Sequence, residues 1–112
     1  MVRKRGTTMF MQPGGKIEPG EDSLTTLRRE LREELNLDVA GPEFTWVGSF
    51  TQAAANEPGC EVKAEVYAVT LEHHEPRIAS EIAEARWVDP RDPGPIDLAP
   101  LSVHCLLPLL TA

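Results

Sequence analysis

The sequence predicts a mixed α/β or α+β domain, and three observations carry that expectation. Leu24, Leu27, Leu31 and Leu35 recur at the spacing of one helix face. Strand-like runs lie on both sides of that helix, and Pro and Gly clusters separate them. The resulting order is strand, helix, strands, strand, helix. A length of 112 residues suits one domain and not two.

Taken in order, Thr7–Met11 is β-prone and short, and Pro13-Gly14-Gly15 breaks it. A loop runs through Pro19-Gly20 to a helix expected over Ser23–Leu35. Glu21 and Asp22 stand at its start, where acids complement the helix dipole. Asn36 follows, a residue that tolerates the left-handed cap. Glu43–Ala53, with Phe44, Trp46, Val47 and Phe50, reads as a strand, and so does the alternating run Cys60–Leu71. A turn over Ala54–Gly59 would join them as a hairpin. Glu84–Val88 is a further short strand. A proline-rich loop, Asp89–Pro100, leads to a helix over Leu101–Leu110, disturbed near Pro108.

The charge balance restricts partners. With a net charge of −7, the chain is ill suited to a nucleic-acid polymer. It can hold a small phosphate compound if a divalent cation bridges the two. No apolar run reaches the ~20 residues of a membrane span, so no membrane partner is expected. The basic start, Met-Val-Arg-Lys-Arg-Gly, lacks the apolar stretch of a secretory signal. Cys60 and Cys105 fit no disulfide or CxxC pattern, and read as reduced thiols in a cytoplasmic protein, Cys105 on an apolar helix face.

The strongest chemical signal is Arg29-Glu30-Leu31-Arg32-Glu33-Glu34. At about 100° per residue, Glu33 lies roughly −60° and Glu34 roughly +40° from Glu30, with the leucines centred about 105° away. Three carboxylates therefore share one helix face, apart from the apolar one. Like charges at these spacings repel by roughly 0.2–0.5 kcal/mol per pair. A hard divalent cation would convert that repulsion into binding. Arg29 stands four residues before Glu33 and can hold its rotamer. A solvated acidic face is the alternative reading. Upstream, Gly15 and Gly20 flank Lys16-Ile17-Glu18-Pro19, a loop able to bring backbone close to metal or phosphate.

Together, loop and helix resemble the Nudix box: Gly, five residues, Glu, seven residues, Arg-Glu-apolar-any-Glu-Glu-any-Gly-apolar. Here it reads Gly15, Glu21, Arg29, Glu30, Leu31, Glu33, Glu34, Asn36 and Leu37, with Asn36 in place of the family's glycine. The lead-in Arg3–Gly6 and Phe10–Pro13, the stretch Ala53–Asn56, the stretch Glu81–Val88 and the closing helix are similar to bacterial, MutT-like members.

The resemblance implies a single Nudix domain over residues 1–112, its box at 15–37, built as an α/β/α sandwich around a mixed sheet. Family members carry a further strand, and part of the next, before the Arg-Lys-Arg-Gly position. The first strand is therefore expected to be lacking, leaving an open edge that a second copy could fill as a homodimer.

The same resemblance implies a pyrophosphohydrolase that splits the diphosphate linkage of a nucleoside triphosphate, nucleotide sugar or related small nucleotide. Mg²⁺ or Mn²⁺ would be held by Glu30, Glu33, Glu34 and the Gly15 carbonyl, with Arg29 orienting the carboxylates and Glu21 either supporting the loop and helix start or sitting near the metals. Glu81, six residues before Trp87, is the expected general base and Glu84 the runner-up. Arg5, with Arg3 and Lys4, could contact phosphate. Phe10, Phe50 or Tyr67 could stack on a base, though strand aromatics also serve as core. Trp46 and Trp87 read as core. His73, His74 and His104 match no zinc spacing. The competing functions are a non-catalytic nucleotide-binding module and an inactive truncated form.

Overall fold

The computed structural model describes residues 1–54 and 57–111. Its elements are β1 (Val2–Lys4), α1 (Ser23–Leu35), β2 (Thr45–Ala53), β3 (Glu61–Ala68), β4 (Ile82–Ala85) and α2 (Leu107–Thr111). A 3₁₀ turn at Gly41–Glu43 precedes β2, and a π-helical stretch at Ser102–Leu106 precedes α2.

The helix α1 has the bounds its leucine period predicts. The Asp22 side chain accepts from the Thr25 N–H at 2.8 Å, capping the first turn. Asn36 ends the helix in the left-handed region, at φ 54° and ψ 34°. Leu31 and Leu35 are buried, and with Val2, Leu37, Val39 and Ile82 they form the core.

The fold is α/β, with its strands in two antiparallel pairs, β1–β4 and β2–β3. The β1–β4 pair is widened by bridges. Val2 pairs antiparallel with Met11, and Phe10 pairs parallel with Leu98, so neighbouring segments run in both directions.

Several elements differ from expectation. The first strand is Val2–Lys4 and not Thr7–Met11. The Thr7 N–H and hydroxyl both donate to the Lys4 carbonyl, at 3.2 and 2.8 Å, and Gly6 adopts φ +77°. This turn reverses the chain, leaving Phe10 and Met11 as single bridges. The last strand is Ile82–Ala85, upstream of Glu84–Val88, because its partner β1 begins at Val2; the Arg86 N–H to the Met1 carbonyl closes the ladder. The hairpin strands are shorter than expected at their outer ends, where Pro42 sits in the 3₁₀ turn. Of the turn over Ala54–Gly59, Ala55 and Asn56 lie outside the described residues.

The closing helix is disturbed before Pro108 and not at it. Proline cannot donate, and its ring crowds the carbonyl four residues back. The chain widens to an i→i+5 turn, in which the Leu107 N–H donates to the Ser102 carbonyl. Trp46 and Trp87 are not core residues: they are 58% and 81% exposed. Trp46 faces solvent because its indole N–H is held by Glu65 across the hairpin, at 2.8 Å. Among the described residues, no helix is long and apolar enough to cross a membrane.

Candidate active site

The C-terminal end of α1 is stitched to the segment that leads into β4. The Arg77 N–H donates to the Leu35 carbonyl at 2.8 Å, and the Ala79 N–H to the Glu34 carbonyl at 3.0 Å. The Asn36 side-chain amide donates to the Arg77 carbonyl at 2.8 Å. Carbonyls that a helix end would leave unpaired are thereby satisfied. Ser80 then takes φ +56°, an uncommon conformation for a residue other than glycine, and turns the chain into Glu81. The Arg5 N–H donates to the Glu81 carbonyl at 2.8 Å, and Lys4 Nζ lies 3.4 Å from the Glu81 carboxylate.

On the other side, the glycine loop packs against α1. The Gly14 N–H donates to Glu34 Oε1 at 3.1 Å. A Cβ placed on Gly15 would overlap the Glu30 carboxyl, so glycine here lets that carboxyl lie against the loop, and a larger residue would push it aside. Gly14, Gly15, Glu30, Lys4 and Glu81 all border one cleft of about 1340 Å³, which lies between β3 and the β1–β4 pair.

Arg29 organises the acids. Its guanidinium donates to Glu21 at 2.8 and 3.0 Å, to Glu30 at 2.9 Å, and to Glu33 and the Lys16 carbonyl at 3.4 Å. The Glu33 contact anticipated from helical spacing is the longer one; the main partners are Glu21 and Glu30. The Arg29 hydrogen bonds hold the Glu21 carboxyl down to about 2. Thr26 adds a further bond to Glu21, at 3.0 Å.

The three helix carboxylates do not share one environment. Glu33 is exposed, Glu30 is half-buried against Arg29, and Glu34 is 2% exposed. Glu34 Oε2 is buried without a hydrogen-bond partner. Desolvation, reinforced by the charges of Glu30 and Glu81, pushes the Glu34 carboxyl up to about 7, against the Gly14 bond and Lys4. The helical angle already carried this signal. At roughly +40°, Glu34 is the acid nearest the leucine face.

Among the described residues, no three His, Cys, Asp or Glu side chains are grouped to hold an ion. Arg29 draws Glu30 and Glu33 to itself while Glu34 turns to Gly14. The donor set nevertheless suits a hard divalent cation: carboxylates, a glycine backbone, and one buried carboxylate oxygen with nothing to bond.

The remaining candidates lie elsewhere. Glu84 is pinned by Arg86 at 2.5 Å and Arg3 at 3.6 Å, which hold its carboxyl below the usual range. The Phe10 ring is buried under the Arg3 and Arg86 guanidinia, at 6.0 and 5.2 Å, beside a smaller cleft of about 330 Å³. The Arg5 side chain is exposed. Tyr67 shares a 2.6 Å hydrogen bond with Ser23 and meets Phe44 edge-on, and Phe50 is half-buried on β2. His74 lies 3.7 Å from Glu43. Sequence reasoning missed the Lys4–Glu81 pair and the Gly14–Glu34 bond. Both join residues far apart in the chain, and no local period announces them.

The family model of the NUDIX domain matches residues 2–107. The chain belongs to the Nudix family. Comparison with curated proteins and with solved structures gave no match. Nudix domains are hydrolases of pyrophosphate bonds; they generally use divalent cations such as Mg²⁺ or Mn²⁺ and act on small nucleotide-like substrates.

Proposed function

We propose that residues 1–112 act as one catalytic unit that hydrolyses the diphosphate linkage of a small nucleoside diphosphate-linked compound. Nucleoside triphosphates and nucleotide sugars are the substrates to try first. The observation that carries this reading is Glu34 Oε2, a buried carboxylate oxygen without a partner, on a side chain whose other oxygen accepts from Gly14 of the glycine loop, a residue that borders the large cleft. A carboxylate left so costs stability unless a cation compensates it.

Glu30, Glu33, Glu34 and the Gly15 carbonyl would hold Mg²⁺ or Mn²⁺. Such an ion supplies positive charge against the diphosphate and an acidified water. The chain's own residues do the rest. Arg29 fixes Glu30 and ties it to Glu21, so the loop and helix move as one piece. Glu81, more exposed than Glu84 and bordering the cleft, accepts the proton of the attacking water. Glu84, engaged by two guanidinia, is the poorer base. Lys4 neutralises Glu81 at rest and is placed to meet substrate phosphate.

The test is a phosphate-release screen over nucleoside triphosphates, nucleotide sugars and dinucleotides, with Mg²⁺, with Mn²⁺ and with excess chelator. Turnover restored by either metal after chelation supports the reading. Full turnover in chelator, or none on any substrate with either metal, overturns it.

A further inference from the structure

We propose that Gln12 is a substrate-contacting residue, whose amide N–H groups, turned toward the large cleft by the buried Ser102 hydroxyl, donate to a phosphoryl oxygen of the bound compound. This contact rests on the diphosphate-hydrolase reading above and adds a residue to it.

The backbone on both sides of Gln12 is fixed by distant partners. The Phe10 N–H donates to the Asp97 carbonyl at 2.7 Å, and the Phe10 carbonyl accepts from Ala99 at 2.8 Å. Met11 exchanges two 2.8 Å backbone bonds with Val2. After Gln12, Pro13 restricts the chain, and the Gly14 N–H is held by Glu34. The Gln12 side chain meets the start of the π-helical stretch, where Ser102 Oγ lies 2.7 Å from Gln12 Oε1.

Burial decides which way the amide is turned. Ser102 is 0% exposed, and a hydroxyl cut off from water needs an acceptor for its proton. Among the described residues it has two within reach: the Gln12 amide oxygen, and the Met1 sulfur at 4.0 Å, a weak acceptor. The hydroxyl therefore donates to Gln12 Oε1, and the amide nitrogen is turned away from it. Among the described residues that nitrogen has no partner, yet it is not enclosed, since Glu34 Oε2 is the buried unpartnered side-chain atom. Gln12 borders the large cleft beside Pro13, Gly14 and Gly15. Two N–H donors are thus open to that cleft.

Position selects what they meet. Gln12 lies three residues before Gly15, so their Cα atoms are no more than about 11 Å apart. Cation and diphosphate would meet at Gly15 and Glu34. The lysines that border this part of the cleft are already engaged, Lys4 by Glu81 at 3.4 Å and Lys16 by Glu57 at 3.9 Å. An amide carries no charge to be neutralised and does not titrate. It is free to donate to an anionic oxygen, a stronger bond than one to a neutral acceptor.

The experiment uses imidodiphosphate, a diphosphate whose P–N–P bridge resists hydrolysis, together with Mg²⁺. In ¹⁵N-labelled protein the side-chain amides are directly observable, and Gln12 and Gln52 are the only glutamines. The Gln12 amide signals should move on saturation while those of Gln52 stay. Gln12→Leu should weaken imidodiphosphate binding about 10–100-fold by calorimetry, the range for one hydrogen bond to a charged group. Gln12→Glu still offers Ser102 an acceptor, so the fold is spared, and binding should weaken at least as much. Ser102→Ala lets the amide rotate and should cost roughly 2–10-fold, with no further loss in a Gln12→Leu background. No binding by the unaltered chain, unmoved Gln12 signals, or unchanged affinity in both Gln12 variants overturns the proposal. A further loss from Ser102→Ala in the Gln12→Leu background overturns the orienting role of Ser102. The amide signals decide the matter even if the variants fail to fold. Turnover in the phosphate-release screen with unmoved Gln12 signals removes this contact and leaves the hydrolase reading standing; moved signals without turnover on any substrate do the reverse.

Discussion

Helix α1 and the β2–β3 hairpin are both regular, yet they are tied to the molecule differently. Residues outside the helix engage α1 at several points: Gly14 bonds Glu34, Arg77 and Ala79 take the terminal carbonyls, and Glu21, just before the helix, grips Arg29. The hairpin is held mainly by its own ladder. It touches the rest through the Tyr67–Ser23 hydrogen bond and a 3.8 Å contact from the Gln52 amide to Cys105. Glu34 and Arg29 of the first region are tied to other segments, whereas Glu65 of the second, exposed, bonds only Trp46 and Ser49 of its own ladder. A carboxylate can be buried like Glu34 only where neighbours on several segments hold it. A free-standing hairpin keeps its edge available.

The largest effect expected from this contrast is on activity. Glu34→Gln should lower kcat at least ~10²-fold, because a lost ligand removes several kcal/mol of charge stabilisation. The far-UV circular dichroism should stay unchanged. A near-normal rate would make Glu34 a structural acid and erase the functional half of the comparison. Arg29→Ala should cost about 10–100-fold, as partners that orient ligating groups do. It should also lower the melting temperature, since Glu21 and Glu30 lose their common donor. Loss of stability with unchanged kcat would reduce Arg29 to a brace.

A pH measurement sharpens the contrast further. The Glu34 carboxyl is raised from 4.5 to about 7 in the folded chain. A raised acid favours the protonated folded form, so its contribution is complete below about 4.5 and is lost as pH rises through about 7. The charges of Glu30 and Glu81 reinforce this rise, and that of Lys4 opposes it. Metal-free protein should therefore lose stability across this window in denaturant titrations. Glu34→Gln should flatten the loss and Mg²⁺ should offset it. Equal slopes for wild type and variant would refute the assignment to Glu34.

The smallest effects are expected at the helix cap and on the hairpin. Asn36→Gly should change stability by no more than ~0.5 kcal/mol. Glycine gains freedom in the left-handed region, but the variant loses the bond to the Arg77 carbonyl. Trp46→Ala, on an exposed face, should also stay within about 0.5 kcal/mol in the monomer. A loss of several kcal/mol there would show that the hairpin is not the loosely tied region.

What was legible in the sequence follows the same division. The bounds of α1 were readable because period, cap and terminator are local signals: four leucines, Asp22 and Asn36. The strand β1 was not, since Val-Arg-Lys has no apolar run and becomes a strand by pairing with residues about 80 positions away. The exposure of Trp46 and Trp87 was hidden for a related reason. Alternation tells which side chains share a face of a strand, but not which face meets a core. The box motif named the acids and their family. Their unequal burial depended on the leucine stripe and on Gly14 and Lys4, which lie outside α1.

The bridges around β1 also bear on the order of events during synthesis. Met1 bonds the Arg86 carbonyl, β1 pairs with β4, Phe10 is held between Asp97 and Ala99, and Gln12 meets Ser102 at 2.7 Å. The beginning of the chain thus has its partners near the end. Until residues 82–102 have left the ribosome, the first dozen residues have only local partners such as the Val2–Met11 bridge, and contacts of such separation form slowly. The box helix, whose caps are local, can assemble much earlier. The nascent protein is thereby expected to wait with its acidic helix formed and the sheet that covers its apolar face still open.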